Sequence, residues 1–250
     1  MPALLAHPDW TRPAPTVIWM HGRTVNKELD SGRYIRWLKA GLAACAIDLP
    51  GHGERLDERM HSPAHTLDLL EGVIPEIDHV VEALADPAWK GTFDLDRLAL
   101  GGMSAGGMAT LRRLCDEHPF VCAAVEATTG NLAGLYQRTD RPWPVQHDPA
   151  RVARLDPMQH LSGWKPIPLL ALHSEGDRVV PAAVQREFIE ALRGQYKVKG
   201  ADPSLIEFTA WDQTGAPLEH AGFGRFGNDA KNLQTEFLSR WLKPDVAAAG

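Results

Sequence analysis

Leu98-Ala99-Leu100-Gly101-Gly102-Met103-Ser104-Ala105-Gly106-Gly107-Met108 is the stretch on which the fold turns. An apolar, strand-like run enters a glycine-rich turn carrying one serine, and a helical pattern leaves it. The G-x-S-x-G core alone is weak evidence. Its strand-to-helix setting gives the glycines a reason: a sharp turn presents the hydroxyl on strained backbone, and side chains at Gly102 or Gly106 would collide with the adjoining strand and helix. Ser104 then sits at a helix N-terminus, where free N–H groups and the helix dipole favour developing negative charge. A plain N-cap serine fits the same residues. A phosphate-binding turn fits less well, because no G-x-x-x-x-G-K-[ST] is present and the first strand-to-helix turn, His21-Gly22-Arg23, is not glycine-rich.

Outward from this turn the chain alternates between strand and helix patterns. Strands are expected at 16–20, 42–49, 97–100, 121–127, 167–173 and 205–211. Helices are expected at 27–40, with Leu29, Tyr34, Ile35 and Leu38 at helical spacing, and at 66–84, kinked by Pro75. Further helices are expected at 106–117, 182–193 and 228–242. Near-continuous apolar strands alternating with amphipathic helices describe an α/β fold with a doubly wound, mainly parallel sheet of about six strands. Residues 128–166 are too many for a crossover with one helix, so a short cap is expected there, with Leu132, Leu135, Tyr136, Trp143 and Trp164 as its apolar members.

A serine hydroxyl needs an imidazole to take its proton, and the imidazole needs a carboxylate to fix its tautomer. Ser174-Glu175-Gly176-Asp177-Arg178-Val179-Val180-Pro181 follows the fifth strand, and Leu218-Glu219-His220-Ala221-Gly222-Phe223 follows the sixth. The order Ser104, Asp177, His220 places each group beyond the carboxyl end of a different strand, where open α/β sheets assemble their sites. Glu175 is the alternative acid. The histidines His52, His61 and His65 offer no metal-ligand pattern, since Pro63 breaks any helix that would align the last two, so neither a metal nor a cofactor is expected. His173, at a strand end, is expected to pack behind the site.

The whole composition agrees with one domain of this kind. The chain has 250 residues, 44% hydrophobic and 23% charged, with no linker-like run to divide it. Its net charge of -6 provides no broad basic surface for nucleic acid, so the expected partner is a small, uncharged molecule. Residues 1–15 lack the features of a signal peptide and no run reaches the roughly 20 apolar residues of a membrane span, so no membrane partner and a cytoplasmic location are expected. Cys45, Cys115 and Cys122 read as buried thiols. Oligomeric state is not legible.

These residues resemble the α/β-hydrolase superfamily, through Trp19-Met20-His21-Gly22-Arg23, Asp48-Leu49-Pro50-Gly51-His52-Gly53, Gly102-Met103-Ser104-Ala105-Gly106, and Asp177 with His220. Residues 21–28 look like the compact bacterial carboxylesterases of the dienelactone-hydrolase and prolyl-oligopeptidase branch. The resemblance implies that Arg23 and Ala105 supply the two backbone N–H groups of an oxyanion hole. Related esterases often carry an aromatic or small residue where Arg23 stands, so its side chain either reaches the substrate or points to solvent. Dienelactone hydrolases use cysteine where Ser104 stands, and the family's first two strands are expected to be missing. The chain also lacks the propeller domain of prolyl oligopeptidases. The implied activity is hydrolysis of carboxylic esters, and the short cap with its aromatic residues leads to the expectation of short-chain substrates, with His21, Met103, Leu135, Trp143, Trp164 and Phe223 as candidate pocket residues. A thioesterase, small peptidase or lyase using the same residues, or a ligand-binding receptor with a slow triad, are the alternatives.

Overall fold

A computed structural model describes residues 1–140 and 143–243. The strands are β1 Ala3–Ala6, β2 Ala14–Met20, β3 Ala43–Ile47, β4 Phe93–Met103, β5 Cys122–Glu126, β6 Leu169–Ser174 and β7 Ile206–Trp211. They form one seven-stranded sheet in the order β1-β3-β2-β4-β5-β6-β7, parallel except for β1. The helices are α1 Ser31–Lys39, α2 Thr66–Leu84, α3 Ala105–Arg113, α4 Leu132–Tyr136, α5 Pro149–Leu155, α6 Ala182–Val198 and α7 Gly227–Leu242.

The two-residue period of β2 shows how both faces are covered. Ile18 and Met20 join α2, α3 and α6 in one apolar cluster, while Val17 and Trp19 join Tyr34 and Trp37 of α1 and Phe237, Leu238 and Leu242 of α7 in the other. Every residue of β2, β3, β5 and β6 is buried, which accounts for their continuous apolar character.

The sheet has one strand more than the six expected. β1 pairs antiparallel with β3, Ala3 opposite Ile47 and Ala6 opposite Ala44, so one of the initial strands expected to be missing is present as a four-residue edge. The first helix also differs from its expected form. Leu29 precedes it and Ile35 faces solvent, whereas Arg33, Tyr34 and Trp37 make its buried face. Arg33 can lie inside because Glu126 accepts two hydrogen bonds from its guanidinium, at 2.6 and 2.8 Å. α2 runs through Pro75 as one helix.

The described residues between β5 and β6 hold α4 and α5. Asp156, buried after α5, accepts the Leu132 and Ala133 N–H groups at 3.0 Å each and so satisfies the start of α4. Arg151 of α5 reaches Asp68 and Glu71 of α2. Among the described residues no helix is long and apolar enough to cross a membrane.

Candidate active site

β4 runs directly into α3 through Ser104, which is held at φ 52°, ψ −117°. This is a costly conformation for a residue with a side chain. Its surroundings enforce it. The Ser104 N–H donates to the Glu126 carbonyl at 2.9 Å, and its own carbonyl accepts from the Thr128 hydroxyl at 2.8 Å. A Cβ on Gly102 would lie 2.5 Å from the Gly106 carbonyl carbon, and one on Gly106 would lie 2.6 Å from the His21 oxygen, so the helix can approach β4 and β2 this closely only with glycine at both positions. The hydroxyl is thereby presented above the carboxyl ends of the central strands.

Two loops bring an imidazole and a carboxylate to it. His220 Nε2 lies 2.9 Å from Ser104 Oγ, and His220 Nδ1 lies 2.8 Å from Asp177 Oδ2. Since the ionised carboxylate only accepts, Nδ1 carries the proton and Nε2 is left to accept the serine hydroxyl. Asp177 is fixed in turn: Oδ1 accepts the Val179 and Val180 N–H groups, each at 2.8 Å, and its side chain is fully buried. It is not the cap of α6, which begins at Ala182 after Pro181. Glu175 turns away to pair with Arg186. His173 donates Nε2–H to the Val180 carbonyl at 2.8 Å and lies 3.5 Å from Asp177 Oδ2, behind the acid.

The loop carrying His220 has its own anchor. Glu219 accepts from the Thr214 N–H at 2.7 Å, the Thr214 hydroxyl at 2.8 Å, the Gly215 N–H at 2.8 Å and the Ser174 hydroxyl at 2.8 Å. These donors, the Thr214 N–H foremost, hold its carboxyl down to about 2. Leu218 and Glu219 are both left-handed, at φ 54° and 53°, so the turn needs such an anchor.

Residues 21–24 form the third loop of the site, and two histidines tie it to the segment after β3. The Leu49 N–H donates to His21 Nε2 at 3.0 Å while His21 Nδ1 donates to the Gly22 carbonyl at 2.6 Å. The Thr24 N–H donates to His52 Nε2 at 3.0 Å, and His52 Nδ1 donates to the Pro50 carbonyl at 2.8 Å. Each pattern demands the neutral ring. Burial accordingly pushes the His21 imidazole down to about 4 and lowers that of His52. The loop so held carries the backbone of Arg23, whose N–H takes no acceptor among the described residues. Arg23 and Ala105 line one pocket with Ser104, together with Thr66, Met108, Tyr136, Trp143, Val179 and Val180. Counted to its open mouth, this pocket is about 260 Å³.

The other residues expected around a pocket are dispersed. His21 and Met103 line a second hollow on the α1 side, with Trp19 and Tyr34. Leu135 and Trp164 are buried in the core and do not line the Ser104 pocket. Trp164 donates its indole N–H to the Tyr196 hydroxyl at 3.1 Å and packs on Phe188. Phe223 is buried on the α1 and α7 face of the sheet, 5.1 Å from Trp211 ring to ring, so its place beside His220 in the chain does not carry it into the pocket. Sequence reasoning missed the roles of Glu219, His21 and His52 as loop anchors, and of Thr66, Met108, Tyr136, Val179 and Val180 as pocket walls. Only the order of His-Gly before the Asp48–Gly53 segment hinted that those two stretches meet. The three cysteines are buried and unpaired.

Comparison with known proteins narrows the class. The model of the prolyl oligopeptidase family matches residues 32–244. The esterase YjfP of Escherichia coli strain K12 is 29% identical over 205 residues, 77% of this chain and 81% of that protein. Among solved structures, TT1662 of Thermus thermophilus is similar with a TM-score of 0.71 at 20% identity, covering 96% of this chain and 93% of that one. The acylaminoacyl peptidase of Pyrococcus horikoshii has a TM-score of 0.73 at 18% identity; 96% of this chain matches 39% of the peptidase.

Proposed function

The chain belongs to the prolyl oligopeptidase family as a serine hydrolase of the α/β-hydrolase fold, and on that premise we propose that it is a carboxylesterase acting on small, short-chain esters through an acyl-enzyme on Ser104. The observation that carries this reading is the continuous line from Ser104 Oγ through the His220 ring to Asp177, with Arg23 and Ala105 lining the same pocket as Ser104. The esterase named among its relatives supports the choice of ester over amide.

In this reaction Ser104 Oγ bonds to the ester carbonyl carbon while His220 Nε2 takes the hydroxyl proton. The carbonyl oxygen becomes an oxyanion and accepts from the Arg23 and Ala105 N–H groups. A donor of this kind, aimed before the reaction begins, is worth about 3 kcal/mol of transition-state stabilisation. As the intermediate collapses, the bond to the alcohol oxygen breaks and His220 gives that oxygen its proton. Water, deprotonated by the same nitrogen, then attacks the acyl carbon and restores Ser104. Asp177 keeps the proton on Nδ1 and stabilises the imidazolium that forms twice in each cycle.

The walls of the pocket favour short chains. Two large aromatic side chains, Tyr136 and Trp143, wall it beside Ser104. Steady-state hydrolysis of p-nitrophenyl esters from acetate to laurate tests this. Turnover should fall as the acyl chain lengthens in a pocket walled by these aromatic side chains. A rise toward laurate, or faster cleavage of a peptide p-nitroanilide than of the short esters, would overturn the reading.

A further inference from the structure

The protein neutralises its deeply buried cations but leaves Arg23 without an acid. Arg33 lies inside against Glu126 and Asp30, and Lys27 against Asp48, Glu54 and Glu28. Arg23 is half-buried, and its guanidinium donates to the His61 carbonyl and forms no ion pair among the described residues. Among the described residues no carboxylate lines the pocket that Arg23 shares with Ser104. The groups flanking it add no negative charge: His52 and His61 stack at 4.4 Å beside it, and the Tyr136 hydroxyl is engaged with Met108 sulfur. Burial therefore pulls the guanidinium below its ordinary value instead of a carboxylate raising it. Trp143, on the same wall, has a buried indole N–H with no acceptor among the described residues. The pocket thus has donors and a cation to spare and no acid to match them.

The pocket also lies on a definite side of the scissile bond. The leaving alcohol must sit beside His220 Nε2 to receive its proton, and His220 is not among the residues lining this pocket. This favours the acyl chain as the group that enters it.

Resting on the ester-hydrolase reading above, we infer that Arg23 binds a carboxylate at the far end of a short acyl chain, so that the substrates are half-esters of short dicarboxylic acids or esters of the same charge pattern. The guanidinium matches a carboxylate with two parallel hydrogen bonds, and partial exclusion of water strengthens them. One residue then serves both ends of the acyl group, its backbone N–H at the carbonyl and its side chain at the terminal anion. The small, uncharged partner expected from composition becomes a small anion.

Monoethyl glutarate and ethyl valerate differ only by a carboxylate in place of the terminal methyl group, and they provide the test. In calorimetric titrations of Ser104→Ala protein at neutral pH, the half-ester should bind about tenfold more tightly than the neutral ester, or better, with the gap shrinking as salt is added. Adding Arg23→Met should bring the two esters within about twofold. Adding Arg23→Lys, which keeps the charge but not the fork, should keep part of the preference. Equal binding of the two esters by Ser104→Ala protein, or a preference that survives Arg23→Met, overturns the inference. Titrimetric turnover of both esters by the unmodified protein separates the two readings: a preference in binding with no hydrolysis of either ester leaves the anion subsite standing and removes the esterase.

Discussion

Asp177 and Val180 position each other: the Val180 N–H donates to Asp177 Oδ1 at 2.8 Å, while the Val180 carbonyl accepts from His173, whose ring lies 3.5 Å from Asp177 Oδ2. Both carboxylate oxygens are committed, one to the backbone and one to His220. Asp177→Asn keeps an acceptor for the backbone but turns an amide N–H toward His220 Nδ1, and the imidazole must then place its proton on Nε2. Ester turnover should fall by about 10⁴-fold in kcat with KM little changed, as expected when the base holds the wrong tautomer. Stopped-rate assays on short aryl esters measure this; a loss below tenfold would show that Asp177 does not orient the base.

His21 makes the fold sensitive to acid. Its ring is held neutral by the Leu49 N–H on one nitrogen and the Gly22 carbonyl on the other, and burial sets its titration at about 4. In the unfolded chain it titrates near 6.5. Between these values the unfolded state binds the extra proton, so stability is intact above about 6.5 and declines as pH falls toward 4, by up to about 3 kcal/mol. Urea unfolding at pH 7 and pH 4.5 should show His21→Gln losing less stability across this interval than the unmodified protein. Parallel losses in the two proteins would rule out the His21 contribution.

Trp164 belongs to the core, not to the pocket. Its indole meets the Tyr196 hydroxyl, which also accepts the Ile167 N–H at 3.0 Å, so the residue ties the segment before β6 to α6. Trp164→Ala should cost about 3–5 kcal/mol of stability, the usual penalty for emptying a large aromatic site. The order of preference among esters of different chain length should not change. A shifted chain-length profile in the folded variant would restore Trp164 to the pocket.

The residues most legible in sequence are those whose local chemistry is demanding. The glycines around Ser104 announce a turn that few other uses require, and Asp177 and His220 stand where strand ends are recognisable by their apolar runs. β1 is hidden because Ala3-Leu4-Leu5-Ala6 is too short to alternate and lies among four prolines within the first fifteen residues. The α1 face is misread because Arg33 is inside, which no hydrophobic period anticipates without knowledge of Glu126, 93 residues away. The pocket is the least legible part: the neighbours Leu135 and Tyr136 share one apolar cluster, yet only Tyr136 also lines the pocket. Chain proximity misled at Phe223 for the same reason, since a short turn moves it to the opposite face of the sheet. His52 looks like one of several loose histidines until the fold brings its ring to the Thr24 N–H.

Everything proposed for the chemistry depends on Ser104 carrying the acyl group, and the steady-state turnover of a short aryl ester by Ser104→Ala measures that directly. The hydroxyl lies 2.9 Å from His220 Nε2, and alanine removes the nucleophile while leaving the turn and its glycines in place. The expected result is a loss of about 10⁵–10⁶-fold in kcat with the thermal transition unchanged within a few degrees, in line with removal of a serine nucleophile. Near wild-type turnover in the folded variant would contradict it.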